Sequence, residues 1–239
     1  MKHALVTGGS GGIGAAISRR LARDGLHVIV HANRNREAAE ALVREIVASG
    51  GTAEPVAFDI TDAAATLAEL ERVLAVAPIQ VLVNNAGIHD DAVFPGMRPD
   101  QWSRVIDVTL NGFFNVTQPL TLPMLRTRWG RIVTITSVAG LVGNRGQVNY
   151  AAAKGALHAA TKSLALELAS RNVTVNAVAP GIIATEMSDG SFDKATIERL
   201  VPMKRAGQPD EVADLVAFLV SERAAYITGQ ILSINGGMV

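Results

Sequence analysis

The chain has 239 residues, 49% of them hydrophobic, with 22 basic and 22 acidic side chains and no formal net charge. That is enough apolar material for one well-buried core, and an α/β domain of this length is ordinary. The even charge balance excludes a global field for nucleic acid or membrane. The absence of cysteine excludes disulfides and thiol chemistry and permits a reducing compartment. The first six residues run straight into a glycine-rich turn without the apolar run of a signal peptide, and no apolar stretch approaches the roughly 20 residues that span a bilayer. A soluble, cytoplasmic protein is expected.

Short apolar runs alternate with longer helical patterns. Residues 4–7 read as a strand, 12 to 24 as a helix, 28–31 as a strand, and 36–49 as a helix closed by Gly50-Gly51. Residues 55–58, 81–84, 132–136 and 173–178 follow as strands, with long helical stretches over 97–126 and 150–170, and 230–234 is the last apolar run. Near-continuous Val, Ile and Leu content suits strands covered on both faces. The alternation predicts an α/β fold: one doubly wound domain over 1–239, with about seven parallel strands, right-handed crossovers and helices on both faces. The irregular stretch 181–194 is the one long gap, where a substrate lid is expected.

Strand one leads into Thr7-Gly8-Gly9-Ser10-Gly11-Gly12-Ile13-Gly14 and then a helix. Glycines there let the backbone approach a pyrophosphate held at the helix N-terminus, although a glycine-rich run can also be a flexible turn. An NAD-binding fold usually carries an acid at the end of strand two. This chain reads His31-Ala32-Asn33-Arg34-Asn35-Arg36 instead. An acid would repel a 2′-phosphate, whereas Arg34 can pair with one, so NADP(H) is expected over NAD(H). Arg36 reads as a solvated residue at a helix start.

Tyr150-Ala151-Ala152-Ala153-Lys154 puts a phenol and an ammonium on one helix face. A free phenol is a poor acid at neutral pH, and a neighbouring ammonium would draw its pKa down. Such a pair is common and usually decorative. Here it follows Ser137, at a strand end, by 13 residues, which makes it a credible site.

With these residues in order, the sequence resembles the short-chain dehydrogenase/reductases over its whole length. The segments that carry the resemblance are Thr7–Gly14, Asp59, Asn84-Asn85-Ala86-Gly87, Ser137, Tyr150-x3-Lys154 and Pro180-Gly181-Ile182-Ile183-Ala184-Thr185. The resemblance implies a Rossmann-type domain in which Tyr150 protonates the carbonyl oxygen and Ser137 hydrogen-bonds it, while Lys154 holds the nicotinamide ribose. It also implies that Gly8, Ser10, Gly12, Ile13 and Gly14 form the phosphate turn. Asp59 and Ile60 would border the adenine, Asn85, Ala86 and Gly87 the adenosine ribose, and Val108, Pro180, Gly181, Ile183 and Thr185 would complete the cofactor site. The family's fourth catalytic residue is an Asn, for which this chain has Thr109. Asn111 comes two residues later, on a different helix face, and neither is assigned a catalytic role.

Within the family the resemblance is strongest to 3-oxoacyl-acyl-carrier-protein reductases, carried by residues 143–150 and 229–238. It implies NADPH-dependent reduction of a 3-oxoacyl thioester on acyl carrier protein, in fatty-acid or polyketide synthesis, by a homotetramer. Arg128 and Arg171 would meet the acidic carrier, though both also read as ordinary surface arginines. His89-Asp90-Asp91 is read as lining the substrate mouth, and no metal is expected because the histidines lack ligand spacing. Two alternatives stand beside this reading: a family member acting on another alcohol, sugar or ketone, and a non-catalytic NADP-binding regulator.

Overall fold

The computed structural model describes residues 1–185 and 193–239. In chain order it runs β1 (His3–Val6), α1 (Gly12–Arg23), β2 (His27–Ala32), α2 (Arg36–Ala48), β3 (Thr52–Ala57), α3 (Ala63–Leu74), β4 (Ile79–Asn84), α4 (Pro99–Ile106), α5 (Gly112–Thr127), β5 (Gly130–Ile135), α6 (Ala139–Val142), α7 (Val148–Leu168), β6 (Val173–Pro180), α8 (Lys194–Leu200), α9 (Pro209–Val220) and β7 (Ile231–Ile234). All seven strands are parallel, in the order β3-β2-β1-β4-β5-β6-β7. The expected doubly wound Rossmann-type sheet is the fold observed.

Alternate strand residues face opposite layers, and this splits the core in two. Ala4 and Val6 of β1, with Val28 and Val30 of β2, pack beneath Ile17 and Leu21 of α1, Leu42 of α2 and Val212 and Val216 of α9. Leu5 and Ile29 point the other way, joining Leu70 of α3, Leu120 and Met124 of α5 and Leu168 of α7. None of the described helices is long and apolar enough to cross a membrane.

Several borders differ from the sequence reading for identifiable reasons. β3 begins at Thr52 and continues through Pro55, because β3 pairs only with β2 and an edge strand tolerates a missing N–H. β6 runs on to Pro180, and β1 stops at Val6, where the Thr7 side chain takes up a different task. The single helix expected over 97–126 is two helices joined by a π-helical turn, Asp107–Asn111, in which the Gly112 N–H reaches back to the Asp107 carbonyl. The expected lid falls largely on residues 186–192, outside the described residues.

Candidate active site

The strand order reverses between β1 and β4, and the carboxyl ends of β1, β4 and β5 form one edge of the sheet. Thr7 anchors this edge. Its hydroxyl lies 3.4 Å from the Val83 carbonyl and accepts the N–H groups of Asn85 at 3.0 Å and Ala86 at 3.1 Å. The Asn85 side chain donates to the carbonyls of Thr7 and Gly8, both at 3.0 Å. Its amide is therefore committed to clamping the turn onto β4, a role the sequence reading did not foresee.

Gly8 has φ +59°, and a Cβ on Gly14 would stand 2.1 Å from the Gly8 carbonyl oxygen, so this turn closes only with glycine at both places. α1 starts at Gly12 with Gly11 as its N-cap and no side-chain cap, so its first amides are left to an anion. Ser10 and Ile13 flank these glycines. Nothing lies within 4 Å of a Cβ built on Gly11, while one on Gly12 would meet the Thr185 methyl at 3.5 Å. Thr185 thus borders the mouth of the turn, and Ile183, held by a bridge to Gly207, is buried beside it. An uncapped helix end with open space over its glycines fits the pyrophosphate of a dinucleotide.

Arg34 is exposed just past β2, and Arg36 pairs with Glu40 at 2.9 Å in the first turn of α2. The Asp59 carboxyl is held below its usual range chiefly by the Thr61 N–H and hydroxyl, with a smaller pull from Arg34. Ile60 is buried, and its carbonyl accepts from the Asn115 side chain at 2.9 Å. Pro180 and Gly181 continue this edge: the Pro180 carbonyl accepts from the Val138 N–H at 2.9 Å, and the Gly181 N–H donates to Ile234 at 3.0 Å.

Ser137 follows β5, and Tyr150 and Lys154 lie one turn apart on α7. The Ser137 side chain approaches the Tyr150 phenol closely enough to lower its pKa, and the Ser137 hydroxyl oxygen accepts the Ala139 N–H at 3.1 Å. Burial pushes the phenol above its ordinary pKa, Ser137 draws it partly back, and the Asp91 carboxylate raises it further. Lys154 is 4% exposed, and its Nζ donates to the Ile135 carbonyl at 2.8 Å. Nζ stands 5.6 Å from the Tyr150 ring centroid, and burial depresses the ammonium to about 8. The lowering of the phenol expected from Lys154 is not found: the groups that move the Tyr150 pKa are its burial, Ser137 and Asp91, and the net shift is upward. Gly87 adjoins this corner: a Cβ there would come within 3.2 Å of Lys154 Nζ.

The π turn separates the two residues considered for the fourth catalytic place. Asn111 turns outward and donates to Asp107 at 2.8 Å. Thr109 is 3% exposed and lines a cavity with Asn84, Thr134 and Ile135. The hydroxyls of Thr109 and Thr134 have no hydrogen-bond partner, and the cavity has room for about one water molecule. Val108, just before Thr109 in the π turn, packs against the core.

Two supporting groups were not read from the sequence, and a third, the His89–Asp91 run, was read for a different role, lining the substrate mouth. Fully buried Asn149 donates to the carbonyls of Asp90 at 3.0 Å and Gln101 at 3.1 Å and accepts the Tyr150 N–H at 2.8 Å. The Asp90 carboxylate takes Gln101 at 2.7 Å and Arg104 at 3.0 Å, and Asp91 takes Gln147 at 2.8 Å and His89 at 3.1 Å. The His89–Asp91 run therefore braces the loop after β4 against the start of α7. The other unread group is His31, which accepts the Gly8 N–H. The only sequence cue for Asn149 was its place beside Tyr150.

Arg128 and Arg171 are not brought to this edge. Both are exposed in turns at the amino ends of β5 and β6, tied together by the Gly130 N–H to the Asn172 carbonyl at 3.4 Å. Arg128 itself is in the left-handed region, φ 51°.

The chain matches the family described as short chain dehydrogenase over residues 2–196. It is 44% identical over 236 residues to the 3-oxoacyl-[acyl-carrier-protein] reductase FabG of Aggregatibacter actinomycetemcomitans, covering 98% of both chains. It is 45% identical over 240 residues to the protein of that name from Staphylococcus aureus strain Mu50, covering 99% of this chain and 98% of the relative. A 3-oxoacyl-[acyl-carrier-protein] reductase of Synechocystis is 46% identical over 244 residues, covering 99% and 96%.

Proposed function

Because the chain belongs to the short-chain dehydrogenase family, whose members use a nicotinamide cofactor, we propose that it uses NADPH to reduce the ketone of a 3-oxoacyl thioester to the 3-hydroxy product. The observation that carries the reading is the convergence of Ser137, Tyr150 and buried Lys154, whose Nζ stands 5.6 Å from the Tyr150 ring, on the sheet edge that holds the glycine turn. The names of the relatives point to acyl carrier protein as the carrier, and the setting we infer is fatty-acid or polyketide synthesis in the cytoplasm.

A bound nicotinamide supplies the hydride. The residues proposed to hold the dinucleotide are Gly8, Ser10, Gly12, Ile13 and Gly14 at the phosphates, Asp59 and Ile60 at the adenine, and Ala86, Gly87, Val108, Pro180, Gly181, Ile183 and Thr185 along the rest. Arg34 is the group placed to pair with a 2′-phosphate. The Ser137 hydroxyl donates to the ketone oxygen and steadies its developing charge. Tyr150 gives that oxygen its proton. With a pKa near 8, the Lys154 ammonium is charged at neutral pH; Ile135 takes one of its three N–H groups, and two are left for the ribose and for stabilising the phenolate.

Arg128 and Arg171 are the proposed carrier-docking pair. They sit a strand's length from Ser137, about 20 Å for six residues, so docking there suits delivery to the site of a second copy. Exposed Phe114 and Leu122 on α5 and Leu166 on α7 support assembly into a homotetramer.

The test is steady-state oxidation of NADPH and of NADH with acetoacetyl thioesters of acyl carrier protein and of coenzyme A. The reading predicts turnover with NADPH on the carrier-bound substrate, little with NADH, and loss of that preference in Arg34→Ala. Turnover on a free alcohol or sugar, with none on any 3-oxoacyl thioester, contradicts it.

A further inference from the structure

His31, the penultimate residue of β2 before the adenosine side of the site, is 1% exposed. Packing alone does not call for a histidine there, because an apolar ring of that size would fill the space with no polar atom to desolvate. Both ring nitrogens have partners. Nε2 lies 2.9 Å from the Phe58 carbonyl, which only accepts, so Nε2 carries the proton. Nδ1 is then the acceptor and takes the Gly8 N–H at 3.0 Å. The two bonds select one neutral tautomer, and burial, which brings the imidazole down to about 4, keeps it neutral at working pH.

The backbone of the same residue makes a third tie, since its carbonyl accepts the Gly9 N–H at 2.8 Å. The ring also lies against Phe58, with centroids 4.4 Å apart. One residue thus holds the two glycines that open the phosphate turn and, at the same time, the segment that leads into Asp59. Glycines are the loosest backbone in the chain, so an acceptor for Gly8 matters more than one for a residue already restricted by its side chain.

We propose that His31 is a positioning residue for the dinucleotide, a neutral imidazole that sets the spacing between the phosphate turn and the Phe58–Asp59 segment before the cofactor arrives. This deepens, and rests on, the reading of the turn as a nicotinamide dinucleotide site. Ordering the turn on folding rather than on binding raises affinity. β2 lies three strands from β5, whose end carries Ser137, so the effect falls on cofactor binding and not on proton transfer.

The test titrates NADPH against the full chain by its fluorescence, in wild type, His31→Phe and His31→Asn. Phe keeps a ring without an acceptor, and the Asn carbonyl restores one toward Gly8. His31→Phe is expected to raise the NADPH Kd and KM about tenfold, with kcat at saturating NADPH changed less than threefold and His31→Asn recovering most of the loss. In the wild type, nitrogen–proton correlation spectra of the imidazole should show protonated Nε2 and bare Nδ1, a readout that needs no variant to fold. A folded His31→Phe with wild-type Kd, or the opposite tautomer, overturns the proposal while leaving the dinucleotide reading intact. A wild type that binds neither NADPH nor NADH overturns both.

Discussion

At the amino end of the sheet the guanidinium of Arg131 is fully buried, yet it donates to the carbonyls of Gly130 at 2.9 Å and Asn172 at 3.3 Å, and reaches Glu222 at 3.4 Å. Trp129 lies under it at 4.3 Å and itself donates to Glu222, which also takes Lys2 at 2.9 Å. At the carboxyl end Lys154 is buried almost as deeply, but a single carbonyl receives its ammonium, while Thr109 and Thr134 have no partner at all. Burial penalises a charge at either end. At the amino end protein groups answer most of that penalty, leaving only Nε of the guanidinium without a partner; at the carboxyl end they leave more of it open, and a ligand can answer it. The same core physics lowers the pKa at both ends, but leaves a structural charge at one edge and an available one at the other.

If that contrast holds, substitutions at the two ends should separate activity from stability. Ser137→Ala is expected to lower kcat by about 10²-fold or more, with little change in melting temperature, because it removes a donor to the developing oxyanion. Arg131→Met should do the reverse. Losing the buried guanidinium removes its bonds to the Gly130 and Asn172 carbonyls and its pairing with Glu222, and is expected to cost about 3 kcal/mol, seen as a melting temperature about 10 °C lower, while KM and kcat stay within about twofold. A fall in activity for Arg131→Met with stability intact would erase the distinction.

How much of this was legible in the sequence follows from the range of the interactions. The strands were legible because burial on both faces demands runs of Val, Ile and Leu, and the glycine turn because Gly8 and Gly14 are sterically compelled. Ser137, Tyr150 and Lys154 were legible from spacing, since a strand end and one helical turn place them. The π turn was not: Asp107–Asn111 uses residues any α-helix accepts, and the extra residue per turn leaves no periodic mark over five positions. Asn149, His31 and the bracing role of Asp90 were hidden for another reason. Their partners are carbonyls or side chains far along the chain, and a backbone carbonyl has no signature in sequence. The docking reading of Arg128 and Arg171 turned on which end of the strands they occupy, which only the assembled sheet displays.

Acid should sharpen the comparison next. The folded His31 pKa of about 4 lies below its ordinary 6.5, so between those values the unfolded chain takes up a proton that the folded chain refuses. The stability this confers is complete above pH 6.5 and drains away as pH falls toward 4, by up to about 3 kcal/mol. Urea midpoints measured from pH 7 to 4.5 should show this slope in the wild type and a flatter one in His31→Asn. The smallest expected effect is Thr109→Val. Removing a buried hydroxyl that has no partner should leave the melting temperature unchanged or raise stability by less than about 1 kcal/mol. A loss above that would mean the hydroxyl is held by a bond to water in the cavity.

The central claim is that Tyr150, at the open end of the sheet, gives the proton that completes ketone reduction. Single-turnover mixing of NADPH-loaded chain with acetoacetyl-acyl carrier protein, followed by the reduced nicotinamide absorbance, tests it most directly. A fast decay is expected in the wild type and one slowed about 10³-fold in a folded, NADPH-loaded Tyr150→Phe. Equal decay rates in the two proteins would contradict it.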